Sequence, residues 1–414
     1  MRTNLASIIQ QFLDDPAITV AMAIRRTRIV CISDTHNQTP KLPAGDILIH
    51  AGDLTNQGTF SELQKTVSWL QQSQFQVKII VAGNHDITCD LPFYQQYGAS
   101  FHNKRMEDSQ RCIELFESDP SIVYLNHESR QIRIVHEERL VTTLKIFGSP
   151  YSPARGFWAF GYSPENASQL WDQIPLDSDI VVTHTPAKFH RDKCGTRGTA
   201  GCEKLRESLW RVRPRLFVCG HIHEAYGVEA VKWDLASTHV KFKEQNIRSW
   251  NNPSPDSKKQ FTVDLSSRAK SFALQNDGSI GNLIFGNGAS SPHGVDVDGP
   301  VDNLVYEASV PAIPLPPQSP FPGFEKAERA IVTSLNGIVT KNSATRGQGG
   351  VASNKSADQE AISGREGRAE TCIVNAAFMA TNWPHKSGRK FHKPIVLDLD
   401  LPVVAESMQT FKAC

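Results

Sequence analysis

Six short apolar runs, rich in β-branched residues, recur along the chain: Arg28–Ser33, Ile47–Ala51, Val77–Ala82, Leu144–Gly148, Asp179–Thr183 and Leu216–Cys219. Runs of this length suit strands buried on both faces. Between the second and third lies Thr59–Gln72. Its Leu63, Val67 and Leu70 fall at i, i+4 and i+7, with Thr59 or Ser61 available as a cap, so a helix is predicted. Ser163–Gln173 and Cys202–Val212 read as further helices. Strands alternating with helices predict an α/β layered domain.

Five of the runs end in side chains with ligand chemistry: Asp34-Thr35-His36, Gly52-Asp53, Gly83-Asn84-His85-Asp86, Thr183-His184 and Gly220-His221-Ile222-His223. In open α/β sheets the strand carboxyl ends form the functional rim, where residues distant in sequence converge. A single Asp-x-His is more often incidental, and Gly-Asn-His-Asp is also a good turn. Five such motifs in order supply carboxylates, imidazoles and one amide, the ligand set of a site for two divalent metals.

Asp34 and His36 alternate around Thr35, so both project to one side of an extended segment. Gly52 lets the backbone approach closely, and the Asp53 carboxylate has two oxygens with which to bridge. Asn84 offers a neutral amide oxygen. This gives one site of Asp34, His36, Asp53 and His223, and another of Asp53, Asn84, His184 and His221. The mixed nitrogen and oxygen set suits Mn, Fe or Zn, with Mg allowed. A hydroxide bridging the two metals is the expected nucleophile for in-line attack on phosphorus. His85 has no metal to fill, and is placed to hydrogen-bond a phosphate or protonate a departing oxygen, with Asp86 orienting its ring. Among the other histidines, His190 is the one candidate for a role, because it follows His184 in a polar loop.

The formal net charge is +1, so no global basic field attracts nucleic acid or an anionic membrane. The eight cysteines are scattered without a Cys-x-x-Cys; Cys194 and Cys202 could bridge, but a reduced state is the preferred reading. Asp14 and Asp15 interrupt the only candidate leader, and no apolar stretch approaches the ~20 residues of a membrane helix. A soluble, cytoplasmic protein is expected.

The character changes after Ala230. Residues 235–370, rich in Ser, Asn, Gly, Pro and Lys, read as a largely low-complexity, partly disordered insertion. Within it, Gln260–Leu265 resembles a strand, Pro311–Pro322 is proline-dense, and Phe324–Val339 has helical spacing. Apolar patterns return at Cys372–Phe378 and Pro394–Leu401. The expected organisation is an N-terminal extension over 1–25, a catalytic domain over 26–234 plus 371–402, the insertion, and a tail over 403–414.

The pattern D-x-H, G-D, G-N-H-[D/E], [T/G]-H, G-H-x-H resembles the signature of the calcineurin-like metallophosphoesterases, and every position is filled. The resemblance implies a two-sheet β-sandwich flanked by helices, with a dinuclear site at the strand ends. Four further stretches are similar to the metallophosphoesterase-domain-containing subgroup related to class III cyclic-nucleotide phosphodiesterases. They are Gly148-Ser149-Pro150 with Gly156–Phe160, His184-Thr185-Pro186 through Leu205, Gly220–Gly227 with Ala225 in place of Gly, and Val374–Ala377 with Pro394-Ile395-Val396. Some subgroup members lose the first His of GHxH; here His221 is present.

That likeness implies a phosphodiesterase acting on a small phosphoester, with cyclic nucleotides or 2′,3′-cyclic RNA products as candidates. The ligands themselves do not separate diesters from monoesters. Phe157–Tyr162 either lines the substrate side or is ordinary loop packing. The insertion is a departure from compact members, placed to lid the site or to hang outside it. Two other readings stand beside the phosphodiesterase. One is a binding scaffold with weak activity, recruiting a protein partner through the proline-dense stretch. The other is a nuclease, which the near-zero charge disfavours.

Overall fold

The computed structural model describes residues 23–278, 350–351 and 367–405, apart from 103–104, 138–139, 196–197, 236–239, 254–256, 258, 383 and 387. Its strands are β1 (Ala23–Ile32), β2 (Ile47–Ala51), β3 (Val77–Val81), β4 (Ile122–Tyr124), β5 (Glu128–Val135), β6 (Leu140–Ser149), β7 (Ser152–Pro153), β8 (Gly161–Tyr162), β9 (Ile180–Thr183), β10 (Leu216–Cys219), β11 (Gly227–Trp233), β12 (Val240–Lys241), β13 (Glu244–Trp250), β14 (Thr262–Asp264), β15 (Gly350–Val351), β16 (Glu370–Asn375) and β17 (Ile395–Ala405). The helices are α1 (Phe60–Gln71), α2 (Leu91–Phe101), α3 (Ser109–Glu117), α4 (Ala167–Trp171) and α5 (Glu203–Val212).

The main strands form two wings of one hydrogen-bonded network. The first runs β4-β3-β2-β1-β17-β14 and the second β5-β6-β9-β10-β16-β11-β13. They join where Val404 and Ala405 of β17 pair with Val141 and Leu140 of β6. Side-chain alternation then sorts the core. Ile29, Cys31, Ile47, Ile49, Ile79 and Val81 of the first wing face Leu144, Ile146, Ile180, Val182, Leu216 and Val218 of the second in one shared core. The intervening residues point outward. Val30, Ile32, Leu48 and Ile80 pack under α1, α2 and α3, and Phe147, Val181, Phe217 and Ile373 under α4 and α5. The result is a two-sheet sandwich with helices on both outer faces, as the resemblance implied. Strands β2, β9 and β10 are buried on both sides, which explains why they read as unbroken apolar runs.

The predicted helix at Thr59–Gln72 is α1, capped by Thr59 and Glu62 in a reciprocal capping box. The predicted Ser163–Gln173 helix begins as a 3-10 turn over Pro164–Asn166 and becomes α-helical only at α4. Two helices escaped the sequence reading, α2 and α3, although Asp90 and Asp108 cap them through the backbone amides of Phe93 and Arg111. Strands β1, β2 and β3 are mutually parallel, as are β6, β9, β10 and β16. Their carboxyl ends meet at one rim, closed by a bridge between Ser33 and Ala377 and by donation from the Phe378 amide to the Ser33 carbonyl at 2.7 Å.

Some of the stretch read as an insertion belongs to the sheets: β13 pairs with β11, and β14, the predicted Gln260–Leu265 strand, pairs with β17. Pro311–Pro322 and the helical spacing of Phe324–Val339 lie outside the described residues. Residues 276–278 and 367–368 meet at one place. Asn276 bridges Arg368, and the Asp277 amide donates to the Gly367 carbonyl at 3.2 Å. The buried Arg368 guanidinium closes this root, donating to the carbonyls of Ser178 at 2.7 Å and Gly278 at 3.0 Å. The root sits where β16 begins, and the metal-facing rim sits where it ends, roughly 17 Å away at about 3.3 Å per residue. Among the described residues, replacing 279–366 by a short glycine turn removes the two-residue pairing of β15 with β12. The shortened protein is expected to keep a cooperative thermal transition and its metal content; loss of either shows that the stretch supports the sandwich.

Candidate metal centre

The local backbone explains how five loops deliver their side chains to one point. Asp34, His36, Asp53 and His221 all adopt left-handed backbone conformations, with φ of 52°, 43°, 52° and 65°. Such conformations cost about 1–3 kcal/mol each in non-glycine residues and persist where surroundings over-determine them. Here the loop after β1 is pinned to the loop after β2: the amides of Asp34, His36 and Asn37 donate to the carbonyls of Gly52, Asp53 and Leu54 at 2.8, 3.1 and 3.0 Å. Glycine permits the approach. A Cβ on Gly83 would collide with the amide and Oδ1 of Asp53, and one on Gly220 with the Asp34 carboxylate and the Ser33 hydroxyl.

The structure brings together all seven candidate ligands. Asp34, His36 and His223 form one group of donor atoms, and Asp53, His184 and His221 another; His36, Asp53 and His85 link them. Asp53 stands between, with Oδ2 at 3.7 Å from His36 Nε2 and Oδ1 at 3.4 Å from His184 Nε2. Asp34 Oδ1 lies 3.4 Å from His223 Nε2, and Asn84 Oδ1 lies 3.0 Å from His184 Nε2. Asp34, Asp53 and His184 are fully or almost fully buried.

The surroundings fit a metal. Nδ1 of His36, His184 and His223 faces a backbone carbonyl, that of Thr55, Ala51 and Thr381 at 3.2, 2.9 and 3.2 Å. This turns Nε2 of each ring toward the carboxylates, the outer-shell arrangement that orients metal-binding imidazoles. His36 Nε2 then faces His223 Nε2 at 3.4 Å, and His221 Nδ1 faces His184 Nε2 at 3.2 Å. Two imidazole nitrogens so close need a proton or a cation between them. Charge states agree. Burial pushes the Asp34 carboxyl up, but the His223 hydrogen bond and the His223 and His184 charges outweigh it and hold it at about 2. Burial lowers His36 to about 4 and, with the neighbouring His184 charge, lowers His221 to about 3. For His184 burial is overcome by the Asp53 charge and hydrogen bond, which raise it to about 9. The ionised carboxylates and the neutral His36 and His221 are in their ligating forms, whereas His184 carries a proton beside Asp53 that a bound cation would displace.

His85 lies beside this cluster. Its amide donates to Asp53 Oδ1 at 2.9 Å, and its Nδ1 faces the Asn56 carbonyl at 2.9 Å. The expected link between Asp86 and the His85 ring is absent among the described contacts. The fully buried Asp86 carboxylate instead accepts from the amides of Gly83, Leu54 and Thr55 at 2.8, 3.1 and 2.9 Å and from the Thr55 hydroxyl at 2.6 Å. It ties the loop carrying Asp53 to the loop carrying Asn84. Nothing in the local sequence signals this, because the Leu54 and Thr55 amides belong to residues some thirty positions away. On the open side a cavity of about 250 Å³ is lined by His85, Arg155, Trp158, Cys194, Glu224 and Asn382 among others. In the Phe157–Tyr162 segment, Trp158 lines the cavity while Phe157 packs on α2 against Phe93, Tyr97 and Phe101.

His190 lies away from the cluster. It is buried, with Nδ1 at 2.8 Å from Glu229 and Nε2 at 3.0 Å from Glu244, and Arg206 also donates to Glu244. The network joins the loop after His184 to β11, β13 and α5. Burial lowers the His190 pKa, but the two glutamates raise it overall. Burial likewise opposes ionisation of Glu244, yet His190 and Arg206 hold it at about 2. The Tm gap between wild type and His190→Gln is therefore expected to be widest from about pH 4.5 to 6.5, between the usual glutamate and histidine values. It narrows in acid as Glu244 protonates and narrows in base as His190 passes its raised pKa. A flat gap contradicts the ion pairing. Asp86→Ala strands buried backbone amides and is expected to cost about 3 kcal/mol, and to weaken metal retention with no ligand removed. An unchanged Tm and metal content overturns the tie.

The calcineurin-like phosphoesterase profile matches residues 27–225. The probable rhamnogalacturonate lyase C of Emericella nidulans is 41% identical over 227 residues, 54% of this chain and 20% of that protein. Human metallophosphoesterase domain-containing protein 1 is 36% identical over 221 residues, 52% of this chain and 65% of that protein. The UPF0046 protein C25E10.12 of Caenorhabditis elegans is 30% identical over 212 residues, 49% of this chain and 71% of that protein. The chain thus spans a fifth of the first relative's length and under two thirds of the second's. The matched segment contains all seven candidate ligands and His85, and the chain belongs to the calcineurin-like phosphoesterase family.

Proposed function

We propose that this protein is a metal-dependent phosphoester hydrolase that acts on small phosphodiesters. The observation that carries the reading is the convergence of two carboxylates, four imidazoles and one amide around Asp53, with His85 beside them at the cavity. Asp34, His36, Asp53 and His223 would hold one divalent cation, and Asp53, Asn84, His184 and His221 a second; the mixed donors suit Mn, Fe or Zn, with Mg allowed. When bound, such a pair supplies an activated water and neutralises charge on the phosphoryl oxygens.

The chain's own residues do the rest. The Asn56 carbonyl engages Nδ1 of His85, leaving Nε2 for the substrate. From there it donates a hydrogen bond to the phosphate or a proton to the departing oxygen. The cavity volume, about 250 Å³, fits a small molecule. Likeness to metallophosphoesterase domain-containing protein 1, and to the cyclic-nucleotide phosphodiesterases that subgroup resembles, favours diesters. Among the described residues no helix is long and apolar enough to cross a membrane. Cys31, Cys89, Cys112, Cys194, Cys202, Cys219 and Cys372 are buried and unbridged, which supports a reducing, cytoplasmic setting.

Chelator-stripped protein is expected to regain turnover of a chromogenic phosphodiester when Mn²⁺ or Zn²⁺ is restored. His85→Ala should keep its metal yet lose about 10²-fold or more in kcat. Asp53→Ala should lose metal and activity together. Monoester turnover far above diester turnover overturns the substrate class. Metal-loaded, folded protein without turnover on either class overturns the hydrolase and favours a binding scaffold.

A further inference from the structure

We infer that Trp158 is a positioning residue for His85: it clamps the imidazole plane and so aims Nε2 at the reacting phosphoester. The inference rests on the proposed role of His85 in hydrolysis. A single hydrogen bond fixes a point on a ring and leaves the plane free to swing. For His85 that bond is the one from Nδ1 to the Asn56 carbonyl at 2.9 Å. The indole of Trp158 supplies the missing restraint. It lies against His85 with ring centroids 4.0 Å apart and planes inclined by 37°, and the His36 ring stands edge-on at 4.9 Å. Hydrogen bond, indole and edge together leave one orientation.

Trp158 is itself held from behind. Its ring meets Phe101 of α2 at 5.7 Å, and its neighbour Phe157 packs against Tyr97 at 4.5 Å and stacks on Phe101 at 5.9 Å. The segment is tied down by Asp90, whose Oδ2 accepts from the Phe160 amide at 2.7 Å while Oδ1 caps α2 through Phe93 at 3.1 Å. The amides of Ser152 and Ala154 donate to the carbonyls of Phe160 and Tyr162 at 3.0 and 2.9 Å, closing the base of the loop. A line of aromatic contacts therefore runs from α2 through Trp158 to His85. An error of about 1 Å in the placement of a catalytic group costs up to about 10²-fold in rate, which sets the scale of what this restraint is worth.

The experiment compares W158A and W158F in wild-type and His85→Ala backgrounds. W158A is expected to lower kcat about tenfold or more with KM within about twofold, and W158F to recover most of the loss because it keeps an aromatic face. On the His85→Ala background, W158A should cost less than about twofold, since the residue it positions is gone. Equal losses on both backgrounds, or a loss confined to KM, overturn the inference and place Trp158 on the substrate itself. A second readout needs no turnover. In the Zn²⁺-loaded protein an indole 4.0 Å away shields the His85 ring protons, so their NMR line should move downfield in W158A, and an unmoved line overturns the clamp. If no phosphoester is hydrolysed, this line still decides the positioning, and only the hydrolase reading fails. Should W158A not fold, W158L, which keeps bulk without an aromatic face, takes its place.

Discussion

Two carboxylates, Asp34 and Asp53, are buried in one cluster, and much of the architecture exists to make that tolerable. Burial disfavours their charge and each disfavours ionisation of the other, yet both are held well below the usual carboxylate range. The compensation comes from imidazoles and from backbone amides: the His221 amide donates to Asp34 at 3.0 Å, and the His85 amide to Asp53 at 2.9 Å. Amides aimed this closely demand tight loops, and tight loops demand the glycines and left-handed conformations found after β1, β2, β3 and β10. The buried charge and the strained backbone are thus two aspects of one requirement, which divalent cations would relieve further.

Each wing of the sandwich contains a buried polar strut that touches none of the metal-facing atoms. In the first wing it is Asp86, joining the loops after β2 and β3. In the second it is Asn375, at the end of β16. Its amide donates to the carbonyls of Arg191 and Ile222, each at 3.0 Å, and its oxygen accepts from the Ala377 amide at 3.1 Å. This fixes the turn that carries His221 and His223 against the loop that follows His184. Fully satisfied buried groups of this kind rigidify their surroundings, because leaving any member unpaired is costly. The histidine network around His190 acts in the same way, a layer further out.

Strands β2, β3, β9 and β10 and helix α1 were legible because their apolar patterns are local and their caps are adjacent in sequence. The candidate ligands were legible for a related reason: strand ends in an α/β fold converge, so a motif at each end is enough to predict the cluster. Helices α2 and α3 were not read, since their apolar faces are narrow and mostly half-buried. The role given to Asp86 failed because its chain neighbour His85 is not its spatial partner. His190 suggested a functional loop, but its partners Glu229 and Glu244 lie on strands far along the chain.

By itself the sequence determined which atoms are available and in what order they reach the rim: Asp34, His36, Asp53, Asn84, His184, His221 and His223 each follow an apolar run that must be buried. Tertiary structure decided which nitrogen His36, His85, His184 and His223 present, because Nδ1 of each is claimed by a carbonyl from another segment. It also set Trp158 against His85, and put the root of residues 279–366 at the edge of the sheet away from the metal-facing rim. The physical reason is the same in each case. Burial and period are written along the chain, whereas hydrogen-bond and ring partners depend on segments that only packing brings together.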